Sequence, residues 1–176
     1  NSRKGEYDKA IASHEKALEL GVEALGSEHN EVALSYHNIG SVCLEQGEYD
    51  TAIAYHERAV RIWSESLGSD HPRIAAAYHG TGAAYAGKGA FGRAIANYDA
   101  ALEIWLEKFG AEHPDVATCY NNLGLAHDNN EDHAKAITCH EKALAIRLKT
   151  LGAEHPDVAT SYNNLGSAYD NDTEYD

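Results

Sequence analysis

Eleven histidines, 28 acidic residues and three cysteines in a chain of 176 residues make metal binding the first chemistry to weigh. His29, His71, His113 and His155 recur at equal spacing, so successive copies lie too far along the chain to share an ion. Their place just ahead of apolar periodic segments assigns them to helix starts, by capping or packing. His127 and His140, with Cys139 beside the second, offer two imidazoles but no evident third and fourth ligand, which favours histidines satisfied within a core. Asp128, Asn130 and Asp132 carry the opening spacings of a calcium loop, yet His133 replaces its glycine and Cys139 its final glutamate. Cys43, Cys119 and Cys139 are odd in number and lack a Cys-x-x-Cys spacing, so neither a disulfide framework nor a zinc site is indicated, and a reducing, cytoplasmic setting is expected. No Ser-His-Asp arrangement, phosphate-cradling glycine loop or paired carboxylate is evident, so no enzyme, catalytic residue, metal or cofactor is expected.

What positions these residues is a repeat. Gly110-Ala-Glu-His-Pro-Asp-Val-Ala-Thr-Cys-Tyr-Asn-Asn-Leu-Gly124 returns from Gly152 to Gly166 with Ser161 in place of Cys119 as its single change. Looser copies begin at Gly26 and Gly68, so Gly26, Gly68, Gly110 and Gly152 are each 42 residues apart. A period of this size points to units that bury one another's faces in a stack. The chain therefore reads as one array: a half repeat at 1–25, repeats at 26–67, 68–109 and 110–151, and a terminal half repeat at 152–176.

Composition sets the outer limits. With 43% hydrophobic residues the chain can build a core, and it has no apolar run long enough to span a bilayer. A formal charge of -14 argues against nucleic acid and anionic membranes as partners and leaves neutral or basic ones. The absence of methionine implies that the chain does not begin at its own initiator and is an excised fragment.

Each repeat reads as two helices, A and B. In the second, Pro72 suits a first helical turn, and Ile74, Ala75, Tyr78, Gly82 and Tyr85 follow at helical spacing until Gly87 and Gly89 break the pattern. Phe91, Ala94, Ile95, Tyr98, Ala101, Leu102, Trp105 and Phe109 then form a longer helix ending at Gly110, expected as a left-handed cap. The same reading predicts a B helix near 6–25, A and B at 30–45 and 48–67, 72–87 and 90–109, 114–129 and 132–151, and a last A helix near 156–170. The acidic tail from Asp170 to Asp176 reads as a loop. Gly40, Gly82, Gly124 and Gly166 on the A helices, and Ala10, Ala52, Ala94 and Ala136 on the B helices, mark close crossings. Trp63 and Trp105 either form an exposed outer patch or pack against their own helix ends. The glycine-rich second repeat reads equally as a hinge, a widened pocket or plain divergence.

These residues resemble the tetratricopeptide repeat pattern: Tyr120-x2-Leu123-Gly124-x2-His127 followed by Ala136-x3-His140, and Tyr162-x2-Leu165-Gly166-x2-Tyr169, with weaker copies at Tyr36 and Tyr78. The eight extra residues per unit, ending in Leu-Gly-x-x-His-Pro, are similar to the 42-residue repeats of kinesin light chains and their relatives. That resemblance implies an all-α, right-handed superhelical solenoid of antiparallel helix pairs whose A helices line a concave groove for an extended peptide. It further implies that Asn38, Asn122 and Asn164 hydrogen-bond the peptide main chain, with Gly80 at that position in the second repeat. His37, His79, Asn121 and Asn163 stand at the neighbouring inward position. A side-chain amide offers both donor and acceptor to a backbone and reads no sequence, which suits such a site. Kinesin light chains take acidic peptides through basic groove residues, whereas the later inward positions here are Leu44, Glu45, Asp128, Asn129, Asp170 and Asn171, so a neutral or basic segment is expected. The single change of Cys119 to Ser161 is not expected to alter binding. The alternative function is self-assembly: an unpaired B helix opens the chain and an unpaired A helix closes it, so copies could stack head to tail as a homo-oligomer.

Overall fold

The computed structural model describes residues 2–173 and is built from α-helices. In chain order they are α1 (Ser2–Leu25), α2 (Asn30–Gln46), α3 (Tyr49–Leu67), α4 (Pro72–Gly87), α5 (Phe91–Phe109), α6 (Pro114–Asn129), α7 (His133–Leu151) and α8 (Pro156–Thr173). The even-numbered helices are the A elements and the odd-numbered ones the B elements, with ends close to those the periodicity predicts. The tail departs from expectation: α8 continues as helix through Thr173, where the loop reading had begun at Asp170. Asn171 Nδ2 donates to Asp128 Oδ2 at 2.9 Å and so ties that last turn to α6. The remainder of the tail, residues 174–176, lies outside the described residues.

The periodic histidines start the A helices. His29, His71 and His113 are N-caps with extended backbone, and the Nδ1 of each accepts the backbone N–H two residues on, from Glu31, Arg73 and Asp115, at 3.2 Å. His155 accepts from the Asp157 N–H at 3.1 Å. An imidazole in this role satisfies one of the orphan donors of a first helical turn, and its own proton must then sit on Nε2.

The glycine that ends helix B behaves differently from the sequence expectation. Gly110 has φ 82° and ψ 170°, and Gly152 φ 83° and ψ 161°, so both are extended rather than left-handed helical. Only glycine adopts that region readily, and it sends the chain outward to the histidine cap three residues later. The left-handed cap occurs instead at Gly47, with φ 79° and ψ 14°, at the tight turn from α2 to α3.

The helices divide into two units, residues 1–89 and 90–176. In the first, α2 packs against α1 and α3, and α4 against α3 and α2; in the second, α6 packs against α5 and α7, and α8 against α7 and α6. This is paired-helix repeat packing, in which each A helix meets the B helix beside it and the next A helix.

Small residues set the crossings. Ala52, Ala94 and Ala136 are fully buried. A methyl group on Gly40 would stand 3.0 Å from the His56 ring, one on Gly80 2.6 Å from His56 Nε2, and one on Gly124 2.5 Å from His140 Cε1. The glycines of the second repeat thus have a packing reason, since Gly80 receives His56 and a methyl on Gly87 would meet Tyr49 at 2.4 Å. Gly166, the copy of Gly124, has nothing within 4 Å of that position.

Candidate functional site

Trp63 and Trp105 are buried, at 1% and 5% exposure, which excludes the exposed outer patch. The Trp63 indole N–H donates to the Asn30 carbonyl at 3.1 Å and so closes the end of α3 on the start of α2. Forty-two residues beyond Trp105 the same position holds Arg147, a substitution that marks the second unit's polar centre.

In the first unit, Asn38, His37 and His79 are half-buried. The His37 ring lies 5.0 Å from that of His56 and 5.7 Å from the Trp63 indole, so it leans toward the core formed by α2 and α3. Its Nδ1, and both ring nitrogens of the fully buried His56, have no hydrogen-bond partner. Burial pushes His56 down to about 3, helped by repulsion from His37 and His79, and burial also lowers His37. This is an uncharged imidazole cluster held between Gly40 and Gly80. Near the far end of α2, Tyr7, Glu45, Gln46 and Glu48 line an acidic cleft of about 260 Å³.

In the second unit the predicted amides separate into two kinds. Asn163 is exposed, and Asn122 and Asn164 are half-buried. Asn121 is buried at 8% exposure and engaged on several sides. Its Oδ1 accepts from Asn164 Nδ2 at 2.9 Å and from Arg147 Nη1 at 3.4 Å, while its Nδ2 donates to Asn122 Oδ1 at 3.5 Å. The structure therefore brings Asn121, Asn122 and Asn164 together across α6 and α8. Arg147 Nη1 also donates to Ser161 Oγ at 2.8 Å and to the Asp157 carbonyl at 3.2 Å. Arg147 is the residue the sequence reading passed over, although the series Trp63, Trp105, Arg147 in repeat register was its visible signal. The exchange of Cys119 for Ser161 also acquires a cause: Cys119 is buried with its thiol directed at the Tyr98 carbonyl at 3.2 Å, whereas Ser161 supplies the hydroxyl that Arg147 needs.

The calcium-loop residues are consumed internally. Asp128 Oδ1 lies 2.7 Å from His133 Nδ1, and Asp132 accepts from the Lys135 backbone and pairs with its ammonium at 2.7 Å. Among the described residues no group of three or more His, Cys, Asp or Glu side chains is placed to hold a metal ion. Nor, among them, is any helix long and apolar enough to cross a membrane.

Comparisons agree with this geometry. No curated protein matches the sequence. Among solved structures, BtubC (BKLC) from P. vanneervenii superposes with a TM-score of 0.87 at 25% identity, over 99% of this chain and 69% of that one. A kinesin light chain of Podosopora anserina with nearly identical TPR-like repeats gives a TM-score of 0.82 at 26% identity, over 98% of this chain and 81% of the other. The apo form of RapI, at 19% identity and a TM-score of 0.82 over 98% of this chain and 60% of its own, shares the fold. The tetratricopeptide repeat family model matches residues 1–62, 31–102, 82–149 and 129–176. Matches that together run the length of the sequence, on stacked helix pairs without a catalytic cluster among the described residues, place this chain in the tetratricopeptide repeat family of non-enzymatic binding scaffolds.

Proposed function

We propose that the chain binds an extended peptide segment along its A helices, with Asn38 in the first unit and Asn122 and Asn164 in the second meeting the ligand main chain. His37, His79, Asn121 and Asn163 would shape those surfaces. The observation that carries this reading is that one repeat position places a half-buried asparagine on three of the four A helices, where an amide is both held by its surroundings and reachable. The net charge of -14 and the cleft containing Glu45 and Glu48 favour a neutral or basic segment. The three free cysteines accord with a reducing, cytoplasmic setting.

A random peptide library displayed on phage tests the site. Selected peptides are expected to lose at least tenfold in affinity for the Asn122→Ala, Asn164→Ala double variant while its helical circular dichroism is retained. Undiminished binding would sink the groove.

A second reading, head-to-tail self-association, has one observation in its favour. His14 of α1 stands in the repeat register of His56 and His140, and the notch at Gly166 that would receive such a ring is open. Tyr162 and Tyr169 of α8 and Leu20 and Leu25 of α1 are exposed. Light scattering over a concentration series separates the readings, because growth that His14→Glu stops supports stacking and a constant monomer mass refutes it.

A further inference from the structure

The amide cluster of the second unit has a fixed direction, and the residue that fixes it is Arg147. An asparagine offers a carbonyl oxygen on one side and an NH2 on the other, and nothing in the side chain itself decides which faces a neighbour. A guanidinium only donates, so Asn121 must turn its Oδ1 toward Arg147, which is nine-tenths buried and reaches it through Nη1 at 3.4 Å. The same oxygen then takes the 2.9 Å bond from Asn164 Nδ2. Asn164 has thereby committed its nitrogen side to α6, and its carbonyl oxygen points the other way.

Ser161 closes the chain of donors consistently. Its Oγ accepts from Arg147 and spends its one proton on the Asp157 carbonyl at 3.0 Å. No such constraint exists at Trp63, whose single N–H goes to the Asn30 carbonyl.

We propose that Arg147 is a positioning residue that sets the polarity of the peptide surface, so that Asn164 presents an acceptor and selects an N–H donor from the ligand. This rests on the peptide-binding reading and narrows it: the group opposite Asn164 is a main-chain N–H or a donor side chain, not a carbonyl. It also explains why an uncharged amide discriminates at all, since a freely flipping asparagine would take either partner.

The test uses the full 176-residue chain and two main-chain mimics, N-methylacetamide, which donates an N–H, and N,N-dimethylacetamide, which cannot. Side-chain amide resonances of Asn121, Asn122 and Asn164 are followed by NMR as each is titrated. In the wild type, N-methylacetamide is expected to shift the Asn164 signals at least threefold more than its dimethyl analogue. In Arg147→Met that preference is expected to vanish together with the nuclear Overhauser contact between the Asn121 and Asn164 side chains, and Arg147→Lys should restore part of both. Should Arg147→Met lose its helical signal, Ser161→Cys, which installs the residue of the sister copy, is expected to weaken the preference in a folded chain. Equal shifts with both probes in the wild type, or a preference unchanged in the folded variants, would overturn the polarity while leaving the groove standing. If neither probe moves Asn122 or Asn164, the groove reading itself falls and the polarity falls with it.

Discussion

Gly124→Ala lowers the stability of the chain and Gly166→Ala raises it, although both glycines occupy the same place in duplicated strings. Alanine in a helix interior is favoured over glycine by about 1 kcal/mol, so each substitution begins with that gain. At Gly166 nothing lies within 4 Å of the new methyl, and the gain of roughly 0.5–1 kcal/mol should appear whole. At Gly124 the methyl would sit 2.5 to 2.7 Å from three ring atoms of His140, which is itself 1% exposed and has no room to retreat. Overpacking of that kind costs about 1–3 kcal/mol and outweighs the propensity term. Gly80→Ala, aimed at His56, should behave as Gly124→Ala does. The measurement is the urea midpoint of the three variants. Parallel shifts for Gly124→Ala and Gly166→Ala would show that the ring does not fill the notch, and rescue of Gly124→Ala by His140→Ala would show that it does.

Acid should destabilise the chain well before its carboxylates titrate. His56 is held near 3 by burial and by repulsion from His37 and His79, and burial also lowers His37, His127 and His140. A depressed histidine is neutral when folded, while the unfolded chain takes up the proton near the ordinary value of 6.5. The stabilisation is therefore complete above pH 6.5 and drains away as pH falls from there toward 3. For His56 alone the loss between pH 6.5 and pH 5 is about 2 kcal/mol, and the other three add to it with the same sign. Urea unfolding at pH 7.5 and pH 5.0 reads this directly. His56→Gln, whatever its effect on the midpoint at pH 7.5, should remove about 2 kcal/mol of the difference between the two pH values; a variant with the wild-type difference would acquit His56.

Much of the architecture was legible because a period needs no energetics to be seen. The 42-residue spacing located the helices, and the proline and histidine before each A helix located their starts, since first-turn chemistry is local. The misreadings all involve partners distant in sequence. Gly110 looked like a left-handed cap because glycine serves several positive-φ geometries, and only the path to His113 selects the extended one. Trp63 and Trp105 looked available for an outer surface, yet whether an indole is covered depends on the neighbouring helix. Asn121 and Asn122 looked alike as adjacent amides, but Arg147, 26 residues beyond Asn121, draws the first inward. The acidic end of α8 looked like a loop by composition, and the bond from Asn171 to Asp128 keeps it helical.

The pairing of Arg147 with Ser161 has a consequence for how such an array can be shuffled. Two nearly identical A segments suggest modules that recombination could exchange at will. Yet the segment carrying Cys119 would bring a thiol, a poor acceptor, up to the guanidinium, and the one carrying Ser161 would bring a hydroxyl to a place where tryptophan precedes it. Helix B of one module and helix A of the next thus form matched couplings, and the order of the modules is itself part of what the sequence encodes. A permuted chain would keep every helix and lose its fit at the joins.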